Sequence, residues 1–157
     1  MLKPIKLASN NFLSSLDLNA EEILHIIDLA IHFKKKDLNI QLKDKVLGLI
    51  FDKSSTRTRV SFQVAMTRLG GTTIDLNPNT SQIGRGEPIK DTARVLSKYC
   101  DVLAIRTFNQ SDLEEYAKWS TVPVINALTD LEHPCQVLAD FMTIKEQFVD
   151  FKNVVLT

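Results

Sequence analysis

The chain has 157 residues, 44% hydrophobic and 24% charged, with 19 Lys and Arg against 19 Asp and Glu and a formal net charge of zero. That length holds one domain with a real core and falls short of two ordinary ones. Charge balance argues against a nucleic-acid or acidic-membrane binder, which carries a basic excess, but leaves room for a small anion held by a few well-placed arginines.

Residues 1–18 read as an irregular lead-in. They lack the continuous apolar stretch and cleavage site of a signal peptide and the arginines of a transit peptide. Asn19 offers a helix N-cap with Glu22 as its capping-box partner, and Ile23, Ile26, Ile27, Ala30 and Ile31 repeat at helical spacing to about Lys36. The polar stretch Asp37–Lys43 connects onward. KVLGLIF (45–51) is a short apolar run that predicts a buried strand. DKSST follows as a loop, and TRTRVSFQVAMTRLGG (56–71) predicts a helix with Val60, Val64 and the Ala65–Leu69 pair facing inward and Gly70 as C-cap.

The alternation repeats. TTIDL (72–76) is a second strand and NPNTSQIGRGE (77–87) a long loop. PIKDTARVLSKYC (88–100) is a helix with Pro88 in its first turn and Ile89, Ala93, Leu96 and Cys100 along one stripe. DVLAIR (101–106) is a third strand. Ser111 and Glu114 predict a capping box opening a short helix through Trp119. VPVINA (122–127) is a fourth strand, LTDLEH a loop, and Pro134 starts a helix through Phe148 in which Leu138, Phe141 and Ile144 keep helical spacing. The predicted fold is α/β: a parallel sheet of four strands with helices on both faces. NVVLT (153–157) reads as a fifth strand, so the expectation is a domain over residues 1–150 and, from 151, the start of a second domain cut off at 157. No apolar run approaches the ~18 residues of a membrane span. Cys100 and Cys135 lie far apart without a CxxC pattern, which points to a reducing compartment, and the cytoplasm follows by elimination.

In an open parallel sheet, ligands bind outside the carboxyl ends of the strands. The loops leaving these strands are dense in anion-binding groups. Ser54-Ser55-Thr56-Arg57-Thr58-Arg59 runs straight into a helix, whose first turn presents unpaired N–H groups and the positive end of a dipole. Hydroxyls add donors, and guanidinium groups add forks that match phosphate oxygens. Alternatively this is an ordinary capped helix with solvated arginines, but six consecutive donor side chains favour phosphate. Arg106 ends the third strand and emerges at the same edge, unless it is simply a solvated charge. His133, at the turn before Pro134, Cys135 and Gln136, would alone read as structural; its edge of the sheet makes it a candidate. Gln82 and Arg85 lie in the glycine-containing loop SQIGRGE, which could equally be an ordinary flexible loop. No GxxxxGK[ST], GxGxxG or HExxH is present and no Cys/His cluster, so neither a metal nor a cofactor is indicated. Cys135 reads as packing rather than nucleophile, and His25 and His32 as helix fillers.

Three motifs carry a family resemblance. SSTRTRVSF (54–62) resembles the SxRTRxSF phosphate loop of the aspartate/ornithine carbamoyltransferases, GRGEPIKDTARVLSKYCDVLAIR (84–106) the segment that follows it, and HPCQVLAD (133–140) their HPCQ motif. They occur in family order, and the likeness runs from about Phe12 to Thr157. Cys135 and the QIGRGE loop resemble the ornithine branch, since the aspartate branch typically carries HPTQ and a lysine in the mobile loop.

The resemblance implies that Ser55, Thr56, Arg57 and Thr58 hold the phosphate of carbamoyl phosphate. It implies that Arg106 reaches phosphate and carbamoyl oxygen, that His133 donates to that oxygen, and that Gln136 contacts the carbamoyl amide. Arg106 and His133 would be the catalytic pair. Gln82 would act on a neighbouring subunit's site in a homotrimer, and Arg59 would be a structural anchor. The implied reaction joins carbamoyl phosphate to L-ornithine, giving L-citrulline and phosphate in arginine biosynthesis, with no covalent enzyme intermediate, metal or cofactor. The acceptor-binding domain of the family is absent from these 157 residues, so the chain by itself is expected to be inactive. Other acceptors (aspartate, putrescine, an acylated ornithine), a non-catalytic anion-binding module and a nucleotide-binding domain are the competing expectations.

Overall fold

The computed structural model describes residues 5–35, 41–77, 83, 86–148, 151 and 154–155. Its elements are α1 (Ala20–Lys35), β1 (Val46–Phe51), α2 (Arg57–Arg68), β2 (Thr72–Leu76), α3 (Ile89–Leu96), β3 (Val102–Arg106), α4 (Gln110–Trp119), β4 (Val124–Leu128) and α5 (Pro134–Gln147). The strands form one four-stranded parallel sheet in the order β2-β1-β3-β4. From β1 the chain steps outward to β2 and then returns to β1's other side with β3. The direction of winding therefore reverses between β1 and β3, which opens a crevice at their carboxyl ends.

Period-two alternation divides the core. Leu47, Leu49, Phe51, Ala104 and Ala127 point to one face and pack with Met66 and Phe62 of α2. Ile50, Leu103, Ile105 and Val124 point to the other and pack with Ala93 of α3 and Leu113 and Tyr116 of α4. Gly48 sits where β1 meets β3: a Cβ there would lie 2.8 Å from Leu103 Cδ2 and 2.9 Å from Cys100 Sγ. Only a residue without a side chain permits that approach.

Local signals account for most boundaries. Glu22 N–H donates to Asn19 Oδ1 at 3.0 Å and Asn19 N–H to Glu22 Oε2 at 2.8 Å, the reciprocal capping box predicted for α1. At the end of α2, Gly70 takes φ 79°, with Gly70 N–H on Thr67 O at 3.1 Å and Gly71 N–H on Met66 O at 2.9 Å, a Schellman motif.

Several expectations need correction. The inner face of α2 is not Val60 and Val64, which are 48% and 41% exposed, nor Ala65, which is exposed; Met66 is the buried residue, with Phe62 packed beside it. The reason is Arg59. Its Nη1 donates to both carboxylate oxygens of Asp75, at 2.8 and 2.7 Å, and its guanidinium lies 5.0 Å from the centre of the Phe51 ring. Phe62 and Met66 follow Arg59 at i+3 and i+7, so this clamp turns their stripe to the sheet.

The Ser111–Glu114 capping box does not form either. Helix α4 begins at Gln110, held by Thr129 Oγ1 donating to its Oε1 at 2.8 Å, and Asn109 takes the cap position with its amide on Asp112 at 2.9 Å. Helix α3 ends at Leu96 and closes through tighter turns to the buried Cys100.

Val154 and Val155 lie in no strand, and the rest of the expected fifth strand falls outside the described residues. The lead-in is less irregular than predicted. Phe12 pairs with Ile125 in a parallel bridge, extending the sheet beyond β4, and Ser15–Asp17 forms a 3₁₀ turn.

Candidate active site

The turn from β1 into α2 leaves its donors unpaired. Thr56, at the N-cap position, makes no side-chain cap hydrogen bond. The backbone N–H groups of Ser54 to Arg59 find no protein acceptor among the described residues. Six consecutive free N–H groups at the positive end of a helix form an anion cradle. The cradle is a pocket of about 250 Å³ lined by Ser54, Ser55, Thr56, Arg57, Thr58 and Arg106. Most of its wall is polar, from hydroxyl, guanidinium and peptide groups.

Arg106 reaches this pocket because of its strand parity and a local irregularity. It shares a face with Ala104 and is paired with Phe51 on one side and Leu128 on the other. The β3–β4 register shifts between Ile105 and Arg106, and Leu128 takes φ 154°, a value few non-glycine residues adopt. Asn126, fully buried, holds this bulge: its Oδ1 accepts from Leu128 N–H at 2.9 Å and its Nδ2 donates to Leu13 O at 2.8 Å. Arg106 Nε is buried with no hydrogen-bond partner.

A second hollow of about 650 Å³ lies between α2 and α5, with His133, Gln136 and Leu128 on its wall; it shares Arg57, Thr58 and Arg106 with the first. Residues at the carboxyl ends of β1, β3 and β4 thus border one continuous cleft. His133 occupies the N-cap position of α5 without capping it, and Pro134 at the first helical position loses nothing by lacking an N–H. The imidazole Nδ1 is buried and unpaired. Burial and, after it, the neighbouring Arg106 charge hold its pKa below the ordinary 6.5, so the ring is neutral near pH 7. The cleft therefore offers two fixed cations, a neutral imidazole and a run of peptide donors. That arrangement has the charge and the donors to suit a dianion.

A family description, the carbamoyl-phosphate-binding domain of the aspartate/ornithine carbamoyltransferases, matches residues 10–146. The chain belongs to this carbamoyltransferase family. The ornithine carbamoyltransferase of Prochlorococcus marinus is 78% identical over all 157 residues, which cover 51% of that protein. The crystal structure of ornithine carbamoyltransferase from Gloeobacter violaceus superposes with a TM-score of 0.84 at 51% identity, covering 93% of this chain and 48% of that one. Aspartate transcarbamoylase from Trypanosoma cruzi, in complex with N-(phosphonacetyl)-L-aspartic acid, superposes at 0.87 with 32% identity, covering 96% and 50%. The chain spans about half the length of the curated relatives it matches.

Within this carbamoyltransferase chain, the expected site residues divide clearly. Ser55, Thr56, Arg57, Thr58, Arg106, His133 and Gln136 line the joined hollows. Gln136 Nε2 is engaged by Asp140 Oδ1 at 2.9 Å. Gln82 and Arg85 lie outside the described residues. Arg59 is turned away onto Asp75, the anchoring role expected of it. Cys135 packs against β4: burial pushes its thiol up to about 11, and Sγ donates to Asn126 O at 3.4 Å.

Sequence reasoning passed over Lys53, Asn126 and Leu128. No local signal marks Asn126 or Leu128, since both sit in an apolar strand run. Lys53 could have been noticed only by its place beside the donor loop. Among the described residues no group of three or more His, Cys, Asp or Glu is arranged to hold a metal ion, and no helix is long and apolar enough to cross a membrane.

Proposed function

We propose that this chain provides the carbamoyl-phosphate side of an ornithine carbamoyltransferase. The δ-amine of L-ornithine attacks the carbonyl carbon of carbamoyl phosphate. The C–O bond to phosphate breaks, the nitrogen sheds a proton, and L-citrulline and phosphate leave. The observation that carries this reading is the single cleft bordered by the unpaired α2 N-terminus, Arg57, Arg106 and His133.

In this reading Ser55, Thr56, Arg57 and Thr58 hold the phosphate through N–H groups, hydroxyls and a guanidinium fork. Arg106 spans phosphate and carbonyl oxygen, and its buried Nε is a donor in need of an acceptor. His133 donates to the same oxygen as it gains charge in the tetrahedral transition state. Each such donor is worth on the order of 10²–10³ in rate. With its Nε2 taken by Asp140, Gln136 has its amide oxygen left to accept from the carbamoyl NH₂. Arg57 and Arg106 also offset the negative charge of the departing phosphate and so stabilise it as a leaving group.

Residues 1–150 form the carbamoyl-phosphate-binding domain and residue 151 begins an acceptor-binding domain, whose closure would align the amine and exclude water. The working assembly is a homotrimer in which Gln82 reaches a neighbour's site. The role is arginine biosynthesis in the cytoplasm.

The test is a turnover assay on the protein at its natural length with carbamoyl phosphate and, separately, ornithine, aspartate, putrescine and an acylated ornithine. Citrulline formation with ornithine alone is the expected result. Preference for another acceptor moves the protein within its family, and no turnover with any of the four sinks the reading. The 157-residue chain alone should bind carbamoyl phosphate weakly and make no citrulline.

A further inference from the structure

Beside the phosphate cradle, a lysine that lines neither hollow joins the three loops that leave β1, β3 and β4. Lys53 immediately precedes Ser54. Its Nζ is ion-paired with Asp130 in the crossover after β4 and lies 4.2 Å from the ring centre of Phe108 in the crossover after β3. The side chain is laid down, with 20% of it exposed. The other two crossovers are already joined by backbone: Thr107 N–H donates to Leu128 O at 3.1 Å and Asp130 N–H to Phe108 O at 2.9 Å. The crossover after β1 has less to hold it. Asp52 N–H donates to Arg106 O at 2.9 Å, and beyond that residue the backbone N–H groups up to Arg59 are unpaired among the described residues. The groups that make the cradle are therefore the ones least fixed by their own backbone.

We propose that Lys53 is a positioning residue of the carbamoyl-transfer site, tying the crossover that carries Ser55 to Thr58 to the one that follows Arg106 and the one that carries His133. The proposal rests on the carbamoyl-phosphate reading of the cleft. It adds that the spacing between phosphate donors and oxyanion donors is set by an ion pair and an aromatic face outside the binding pocket.

The charge on Lys53 could act merely as one more cation near the dianion, and Asp130 separates the two ideas. Asp130→Asn removes a negative charge near the cleft, so by charge alone it should strengthen anion binding. A positioning role requires the opposite. The experiment measures carbamoyl phosphate affinity by calorimetry, together with kcat and KM, in the protein at its natural length. The variants are Lys53→Met, Lys53→Arg, Asp130→Asn and the Lys53→Met/Asp130→Asn pair. Lys45→Met is the control: Lys45 makes a comparable pair with Asp101 at 2.7 Å, but at the amino ends of β1 and β3.

The expected result is a loss of kcat/KM of roughly 10- to 100-fold in both single variants, since a misplacement near 1 Å costs about that much. Lys53→Arg should recover most of it, the double variant should be no worse than either single one, and Lys45→Met should match wild type. Wild-type affinity and turnover in Lys53→Met, or tighter binding in Asp130→Asn, would overturn the positioning role and leave the site reading intact. A wild-type protein that binds no carbamoyl phosphate would overturn both.

Discussion

The buried Nε of Arg106 and the buried Nδ1 of His133 both stand unpaired beside one hollow. A buried polar atom without a partner costs about 1–3 kcal/mol. Two of them at one place, one from the end of β3 and one from the turn into α5, mean that the protein tolerates this cost where a guest with oxygen acceptors would relieve it. The same nearness lowers the basicity of His133, because the Arg106 charge opposes a second cation.

Arg106→Met and His133→Phe should each lower kcat by roughly 10²–10³-fold, the usual cost of losing one oxyanion donor. Neither should lower the thermal midpoint of the ligand-free protein, because each removes an unsatisfied buried group. Parallel activity and melting measurements check both parts. Full activity in either variant would take that residue out of the reaction.

Arg57→Ala should weaken carbamoyl phosphate binding by at least about 10- to 100-fold, matching the ~1.5–3 kcal/mol of a hydrogen bond to a charged group. Arg57 is exposed and its side chain makes no hydrogen bond or ion pair among the described residues, so circular dichroism and melting should be unchanged. Calorimetry reads the affinity, and an unaltered value would remove the phosphate assignment.

His133 sets an acid limit. Its folded-state pKa is depressed below 6.5 by burial first and Arg106 second, so the unfolded chain takes up this proton at a higher pH than the folded one. Stability from the neutral ring is complete above about 6.5 and is lost as pH falls through that value toward the folded pKa. The melting midpoint should fall between about pH 7.5 and 5.5, and fall less in His133→Gln. Equal slopes in the two proteins would dismiss this linkage.

Gly48→Ala should cost about 1–3 kcal/mol of stability, the usual range for overpacking a filled core. The added Cβ would meet Leu103 Cδ2 and Cys100 Sγ at 2.8 and 2.9 Å, where β1 and β3 pair near their amino ends. Denaturant unfolding measures the loss. Pairing it with Cys100→Ala, which vacates one side, should recover part of it.

Much of this molecule was readable in order along the chain, and the failures are particular. The Asn19–Glu22 box and the Gly70 cap were legible because each is a contact between residues three or four apart. The rotation of α2 was not, because apolar residues at 60 and 64 compete with those at 62 and 66, and the Arg59–Asp75 clamp that decides between them joins two elements. The start of α4 was missed for the same reason, since Thr129 across the sheet holds Gln110. For the site, Arg57, Arg106 and His133 were legible from residue type and position at strand ends. Lys53 was not, because its meaning lies in Asp130 and Phe108, distant in sequence and near only in the fold.

By itself the sequence determined the alternation of strands and helices, the sheet edge at which the chemistry gathers, and the donor-rich turn into α2. These follow from apolar period, turn residues and helix-end donors, all interactions within a few residues. Only the tertiary structure decided the order β2-β1-β3-β4, the reversal of winding between β1 and β3, and the bulge at Leu128 that brings Arg106 to His133. Strand order and register are set by which distant segments bury one another best, and short stretches of chain do not encode that.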